Sequence, residues 1–296
     1  MQIGVIFIIR QKRAKYPLYD LKLAARPTFW VAAVGGIIIF GSLMCAMFIG
    51  QQYMQDVLGF GTVESAIPAL FAGAMMIVAA PRSAKMVESI GSRATLLRGY
   101  VFLLIAFLIM LFFWTETSSF WVVVIAFMFV GVGIGLSGTP ASRSLTGSVP
   151  AIKAGMASGT ADLQRDLGGA IFTALFGALL AAGYAASMTA AINASPEGTE
   201  IPPATVSSLT MSYSGAESVA AAYPQYATQI TAAAKTSFLA GDDEAYLAGA
   251  FAVLIGAILV FFLFPKADKE RKLLAEYHQQ DMGESGNVEL PGAANF

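Results

Sequence analysis

The chain has 296 residues, 56% of them hydrophobic and only 12% charged, with a mean hydropathy of +0.66, whereas an ordinary soluble domain carries about 25% charged residues. Eighteen basic and nineteen acidic residues leave a net charge of −1, so no global field favours nucleic acid. One cysteine, Cys45, excludes an intramolecular disulfide and a multi-cysteine metal site, and one histidine, His278, leaves little for histidine-based catalysis.

The composition predicts a polytopic membrane protein. In chain order, residues 1–9 are apolar but reach only about 14 Å as a helix, too short to span. Basic residues follow this run and no small-residue cleavage site comes after it, unlike a signal peptide. Residues 1–27 therefore read as the end of a truncated helix and a basic cytoplasmic linker. Windows free of charged residues and long enough to cross a hydrocarbon core then fall at 27–55, 65–81, 99–115, 117–142, 167–196 and 245–265. A further window, 218–234, is polar and interrupted by Pro224, and reads as loop. The organisation expected is transmembrane helices one to five within 28–184, an extracytoplasmic loop over 185–243, helix six over 244–265 and a cytoplasmic polar tail over 266–296. Within the loop, Glu217 to Ala240 can form one or two short helices, capping the outer mouth, with Gly241-Asp242-Asp243-Glu244 as a turn and N-cap into the last span.

Lysine and arginine accumulate in short cytoplasmic loops. If every window crosses once, seventeen basic residues fall on one side and only Lys235 on the other. Both termini are therefore expected in the cytoplasm.

Several groups of residues carry possible chemistry. At the outer end of the first span, Gln51, Gln52, Tyr53 and Gln55 lie above Met44 and Phe48. Uncharged polar groups with aromatic and thioether neighbours suit a lipophilic substrate, cationic ones included; a helix end entering the headgroups would look the same. Between spans two and three, Arg82, Lys85, Glu88, Gly91 and Arg93 place an acid, a turn glycine and clustered bases at two helix ends. Such groups can lock those ends by charge-assisted hydrogen bonds, or serve only as basic loop residues. Glycines 131, 135 and 138 in span four, and Gly169, Thr173 and Gly177 in span five, form small-residue stripes that allow close helix approach. Asp162, Arg165 and Asp166 share one face at the start of span five, deep enough that an inward-facing position is expected. They could gate or exchange protons, or form a static ion pair.

The loop from Ala84 to Arg93 resembles, in degenerate form, the helix-two to helix-three motif of the major facilitator superfamily: a glycine, three residues, Asp-Arg, one residue, Gly and a basic pair. Ala84 stands for the first glycine, Glu88 for the aspartate and Ser89 for the arginine, while Gly91 and Arg93 match. Gln51-Gln52-Tyr53-Met54-Gln55-Asp56-Val57-Leu58-Gly59, Tyr16-Pro17-Leu18-Tyr19-Asp20-Leu21 and Lys153-Ala154-Gly155-Met156-Ala157-Ser158-Gly159 through Gln164-Arg165-Asp166-Leu167-Gly168-Gly169 resemble, in order, segments of the fourteen-helix drug:proton antiporters. The resemblance implies an all-α membrane protein: a six-transmembrane-helix bundle equivalent to the C-terminal half of a major facilitator fold, preceded by the stub of one more helix. It implies proton-coupled efflux of hydrophobic drugs from the plasma membrane. Alternatives are export of another metabolite class or a non-transporting six-span subunit. The expected partners are lipid, a small lipophilic substrate, protons, and a missing N-terminal half or second copy; nucleic acid, cofactors and metals are not implied. No intramembrane protease motif or filter-like re-entrant segment points to an enzyme or a channel.

Overall fold

The computed structural model describes residues 9–11, 13, 19–196 and 198–285. The stub expected at residues 1–9 lies outside them except for Ile9. Among the described residues the chain is all helical, and six helices are long and apolar enough to cross a membrane. They are α1 (Pro27–Gln52, prolonged by a π-helical turn, Tyr53–Val57), α2 (Thr62–Ile90), α3 (Ser92–Phe113), α4 (Phe120–Gly147), α5 (Ala154–Ala194) and, after two short helices α6 (Pro203–Met211) and α7 (Tyr213–Ala222), α8 (Ala227–Leu263). A final helix, α9, runs Ala267–Ser285.

Two three-helix groups form the bundle. Helix α4 packs on α2 and α3, while α5 and α8 pack on each other and on α1; α1–α4 and α3–α8 contacts join the groups. Close approach is set by glycines where a side chain would strike backbone. A Cβ on Gly131 would lie 2.1 Å from the Ala72 carbonyl oxygen of α2, and one on Gly168 would lie 2.4 Å from the Ile37 carbonyl of α1. The stripe expected in span four thus holds at Gly131 and Gly135 but not at Gly138, where a Cβ would meet nothing within 4 Å. Polar side chains inside the bundle bond to backbone of another helix: Ser83 Oγ donates to the Leu136 carbonyl at 2.7 Å, and the Tyr100 hydroxyl to the Gly35 carbonyl at 2.9 Å. Buried polar groups cannot be left to lipid, so these bonds fix helix phase.

Two sequence expectations are corrected. The residues expected to form a turn, Gly241 to Glu244, lie inside the continuous helix α8, and residues 227–234, expected as loop, are its first turns. Gly241 is not in the left-handed region. It is glycine because a Cβ there would sit 2.4 Å from the Leu180 carbonyl of α5. Helices α5 and α8, of 41 and 37 residues, are about 60 and 55 Å long, well beyond a core of about 30 Å. Their excess carries α6 and α7 as a cap. The Tyr184 hydroxyl ties it to α5 by donating to the Leu209 and Ser212 carbonyls at 3.0 and 3.1 Å. In the cap, burial pushes the Tyr213 hydroxyl up to about 12, with Glu217 and Asp56 adding to the shift. The neutral ring stands edge-on to Phe238 of α8.

Gly131→Val should force α2 from α4 and cost about 1–3 kcal/mol, whereas Gly138→Ala should change stability by about 0.5 kcal/mol or less. Thermal unfolding of both purified variants checks this; equal melting temperatures would contradict the glycine-set crossing.

Candidate functional site

At the end of the bundle where α2 meets α3, one residue joins the helices. Gly91 has φ of 85°, a left-handed conformation that suits glycine, and a Cβ would meet that of Ala267 at 2.6 Å. The expected motif residues diverge here. Glu88 faces Arg143 of α4 at 3.7 Å with both side chains largely exposed, a pairing worth little in itself. Arg82 turns back to the Val78 carbonyl of its own helix at 2.7 Å, and Lys85 is exposed. Arg93 donates to the Phe261 carbonyl and lies 4.8 Å over that ring.

The firmer ties come from α9, which sequence reasoning left as polar tail. Buried Glu270 accepts from the Ser92 backbone N–H at 3.1 Å, and Arg271 donates to the Glu88 carbonyl at 2.8 Å. Arg26, just before α1, pairs with Asp281 at 3.0 Å, each side chain only 11% exposed. Arg26 also donates to the Ser148 carbonyl at 2.5 Å and covers the Tyr277 ring at 4.1 Å. The signal lies in the spacing of Glu270, Leu274, Tyr277 and Asp281, one helical face at offsets of four, three and four. Helix α9 thereby clamps the ends of α1, α3 and α4 together.

At the other end, the expected substrate residues divide. Met44 and Phe48 are partly exposed along α1 where α5 is smooth: Gly169 would bring a Cβ 3.1 Å from Met44 and Gly177 one 3.6 Å from Phe48. Gln51 and Gln52 are half-buried, and exposed Gln55 donates to Ser65 Oγ at 3.1 Å. Tyr53 does not join them. It is fully buried, its hydroxyl donates to the Thr115 carbonyl at 2.7 Å, and its ring stacks on Trp114 at 4.6 Å. Above them, α5, α6, α7 and α8 border a half-open cavity of about 760 Å³ lined by Ile192, Leu209, Val219, Tyr223, Tyr226 and Ile230.

Asp162, Arg165 and Asp166 are exposed on the bundle surface, correcting the inward position expected for them. The pair Arg165–Asp162 spans 3.8 Å, and Arg165 lies 5.2 Å over the Phe40 ring. The Gly168–Ile37 crossing turns Gln164 inward instead, and its amide donates to the Ala32 carbonyl at 3.4 Å. A carboxylate enclosed inside the bundle is Asp242 of α8, which the sequence assigned to a turn. It is 1% exposed, and neither oxygen has a hydrogen-bond partner among the described residues. Among the described residues no group of three His, Cys, Asp or Glu side chains could hold a metal ion.

The chain is thus a six-helix apolar bundle with a positive-φ glycine between α2 and α3 and a basic end. Residues 8–173 match the Major Facilitator Superfamily, over half the chain, and the chain belongs to that superfamily. It is 26% identical over 262 residues to the multidrug efflux pump LfrA of Mycolicibacterium smegmatis, covering 88% of this chain and 50% of the pump. It is 28% identical over 166 residues to the multidrug resistance protein Stp of Mycobacterium tuberculosis, 56% of this chain and 30% of that protein. The quinolone resistance protein NorB of Staphylococcus aureus is 27% identical over 166 residues, 56% of this chain and 36% of NorB. The chain thus spans half or less of the length of these relatives.

Arg26→Ala removes the guanidinium that joins Asp281, the Ser148 carbonyl and the Tyr277 ring, and should lower the melting temperature and release α9. Limited proteolysis should then cut within 267–285 faster than in the parent chain; an unchanged rate would contradict the clamp.

Proposed function

We propose that this chain is the C-terminal half of a fourteen-helix drug:proton antiporter of the plasma membrane, exporting hydrophobic drugs or other small lipophilic compounds. The observation that carries this reading is the alignment of nearly the whole chain with one half of a multidrug efflux pump. Its six spans are then helices nine to fourteen. The basic end clamped by α9 lies in the cytoplasm, as the positive-inside rule requires, and the α6–α7 cap faces outward.

Transporters of this design rock two bundles about a site between them. Helices α2 and α5 are the least enclosed of the six, and we assign their open faces to the second bundle, supplied by an N-terminal half or another copy. Asp162, Arg165 and Asp166 occupy such an open face, where they are suited to gate against that bundle. The Met44, Phe48, Gln51, Gln52 and Gln55 face of α1 is suited to a lipophilic substrate, with Tyr53 pinning its outer end.

In a drug-hypersensitive bacterial host, residues 1–296 alone are expected to leave susceptibility unchanged. Joined to an N-terminal half they should confer resistance that collapses with the proton gradient. Resistance from residues 1–296 with no partner captured by crosslinking would contradict the half-transporter reading, and resistance indifferent to the gradient would contradict proton coupling. Asp162→Asn removes only an exposed pair worth about 0.2–1 kcal/mol, so its melting temperature should stay near the parent's while efflux by the completed transporter falls. Unchanged efflux would remove Asp162 from the gate.

A further inference from the structure

The buried end of Asp242 is surrounded by groups that cannot neutralise it. The titratable side chains that sense its charge are Cys45 of α1, Tyr53 and Asp56 of the π-helical turn, and Asp243 and Tyr246 of α8. From α3 comes the Trp114 indole, edge-on to Tyr246 at 5.4 Å. Helix α5 brings the Leu180 carbonyl and the Tyr184 backbone nitrogen against Gly241, with the Glu244 carboxylate of α8 beside Gly183, and α7 brings Glu217, which bears on Asp56. None of these is a cation, and no described salt bridge includes Asp242. Lys235 stands two helical turns away on α8, roughly 10 Å along its axis. The Tyr246 hydroxyl and Trp114 indole N–H are likewise enclosed without partners. A bare carboxylate enclosed among like charges, with neither hydrogen bond nor counter-ion, is the arrangement that proteins avoid by neutralising the group.

We propose that Asp242 is a proton-binding site, filled while α8 is packed against α1, α3 and α5 and emptied to the outer side when α8 draws away from them. Its place supports that direction. The charge-free stretch of α8, Ala245–Leu263, is about 28 Å long and fills the hydrocarbon core by itself. Asp242 then stands just outside that stretch, at the base of the cap, shut off by packing rather than by lipid. The barrier is the tight seat of Gly241 on α5 and the Tyr53–Trp114–Tyr246 ring cluster. Separation there admits water to the carboxyl group, and the proton passes from its oxygen to that water. Binding and release of the proton then shift the two packings of α8 relative to each other. A part for this site in transport rests on the proton-coupled reading above; the proton itself does not.

Infrared spectroscopy of the purified chain in lipid vesicles tests the site. At neutral pH the parent chain should show the carbonyl band of a protonated carboxyl group, shifted by ¹³C-aspartate labelling and persisting after exposed carboxylates have ionised. Asp242→Asn should lose the band and Asp243→Asn should keep it. Asp242→Asn should also melt near the parent temperature, because a neutral amide replaces a neutral acid of the same shape. Absence of any aspartate-derived band in the parent chain, which needs no variant to fold, overturns the proposal, as does survival of the band in folded Asp242→Asn. A band present in a chain that supports no transport upholds the site and counts only against the transport reading.

Discussion

A hydrocarbon core about 30 Å thick admits neither unpaired backbone groups nor unpaired charge, and the arrangement of this chain follows from that exclusion. Charged residues gather at helix ends: Arg26, Arg93, Arg143 and Arg271 at one, Asp56, Glu116 and Glu217 at the other. Polar side chains that remain between helices, such as Ser83 and Tyr100, reach backbone carbonyls of a neighbour. Asp242 departs from the pattern, enclosed and unpartnered, and the departure is what marks it for function.

The same exclusion shapes the two ends differently. At the basic end, bonds cross between elements far apart in sequence, through Arg26–Asp281 and Glu270–Ser92, so α9 behaves as a strap across α1, α3 and α4. At the opposite end two helices outgrow the core and build a cap with a cavity of its own. Close packing at Gly168 and Gly241 decides which faces of α5 and α8 are used up inside the bundle. The face bearing Asp162, Arg165 and Asp166 is left over, and in our account it meets a second bundle.

Six long apolar helices and the asymmetry of their basic residues were legible in the sequence because both are properties of whole windows. The close approach at Gly131 and Gly135 was legible as well, since helical spacing alone puts small residues on one stripe. Gly241 misled because glycine serves a turn and a tight crossing equally, and only the neighbouring α5 backbone distinguishes the two. Helical phase depends on such crossings, so the outward turn of Asp162 and the burial of Tyr53 and Asp242 could not be read from local spacing. The clamp of α9 was written as a stripe at Glu270, Leu274, Tyr277 and Asp281, but its partners lie across the chain at Arg26 and Ser92.

The account stands on charge placing the α9 end in the cytoplasm and the cap outside. In a Cys45→Ala background, cysteine substituted singly at Ser207 of α6 or Glu276 of α9, both exposed, reports this directly through a membrane-impermeant thiol reagent applied to intact cells. Labelling of Ser207→Cys on intact cells, and of Glu276→Cys only after lysis, is the result predicted. Labelling of Glu276→Cys on intact cells, with Ser207→Cys protected until lysis, would contradict it.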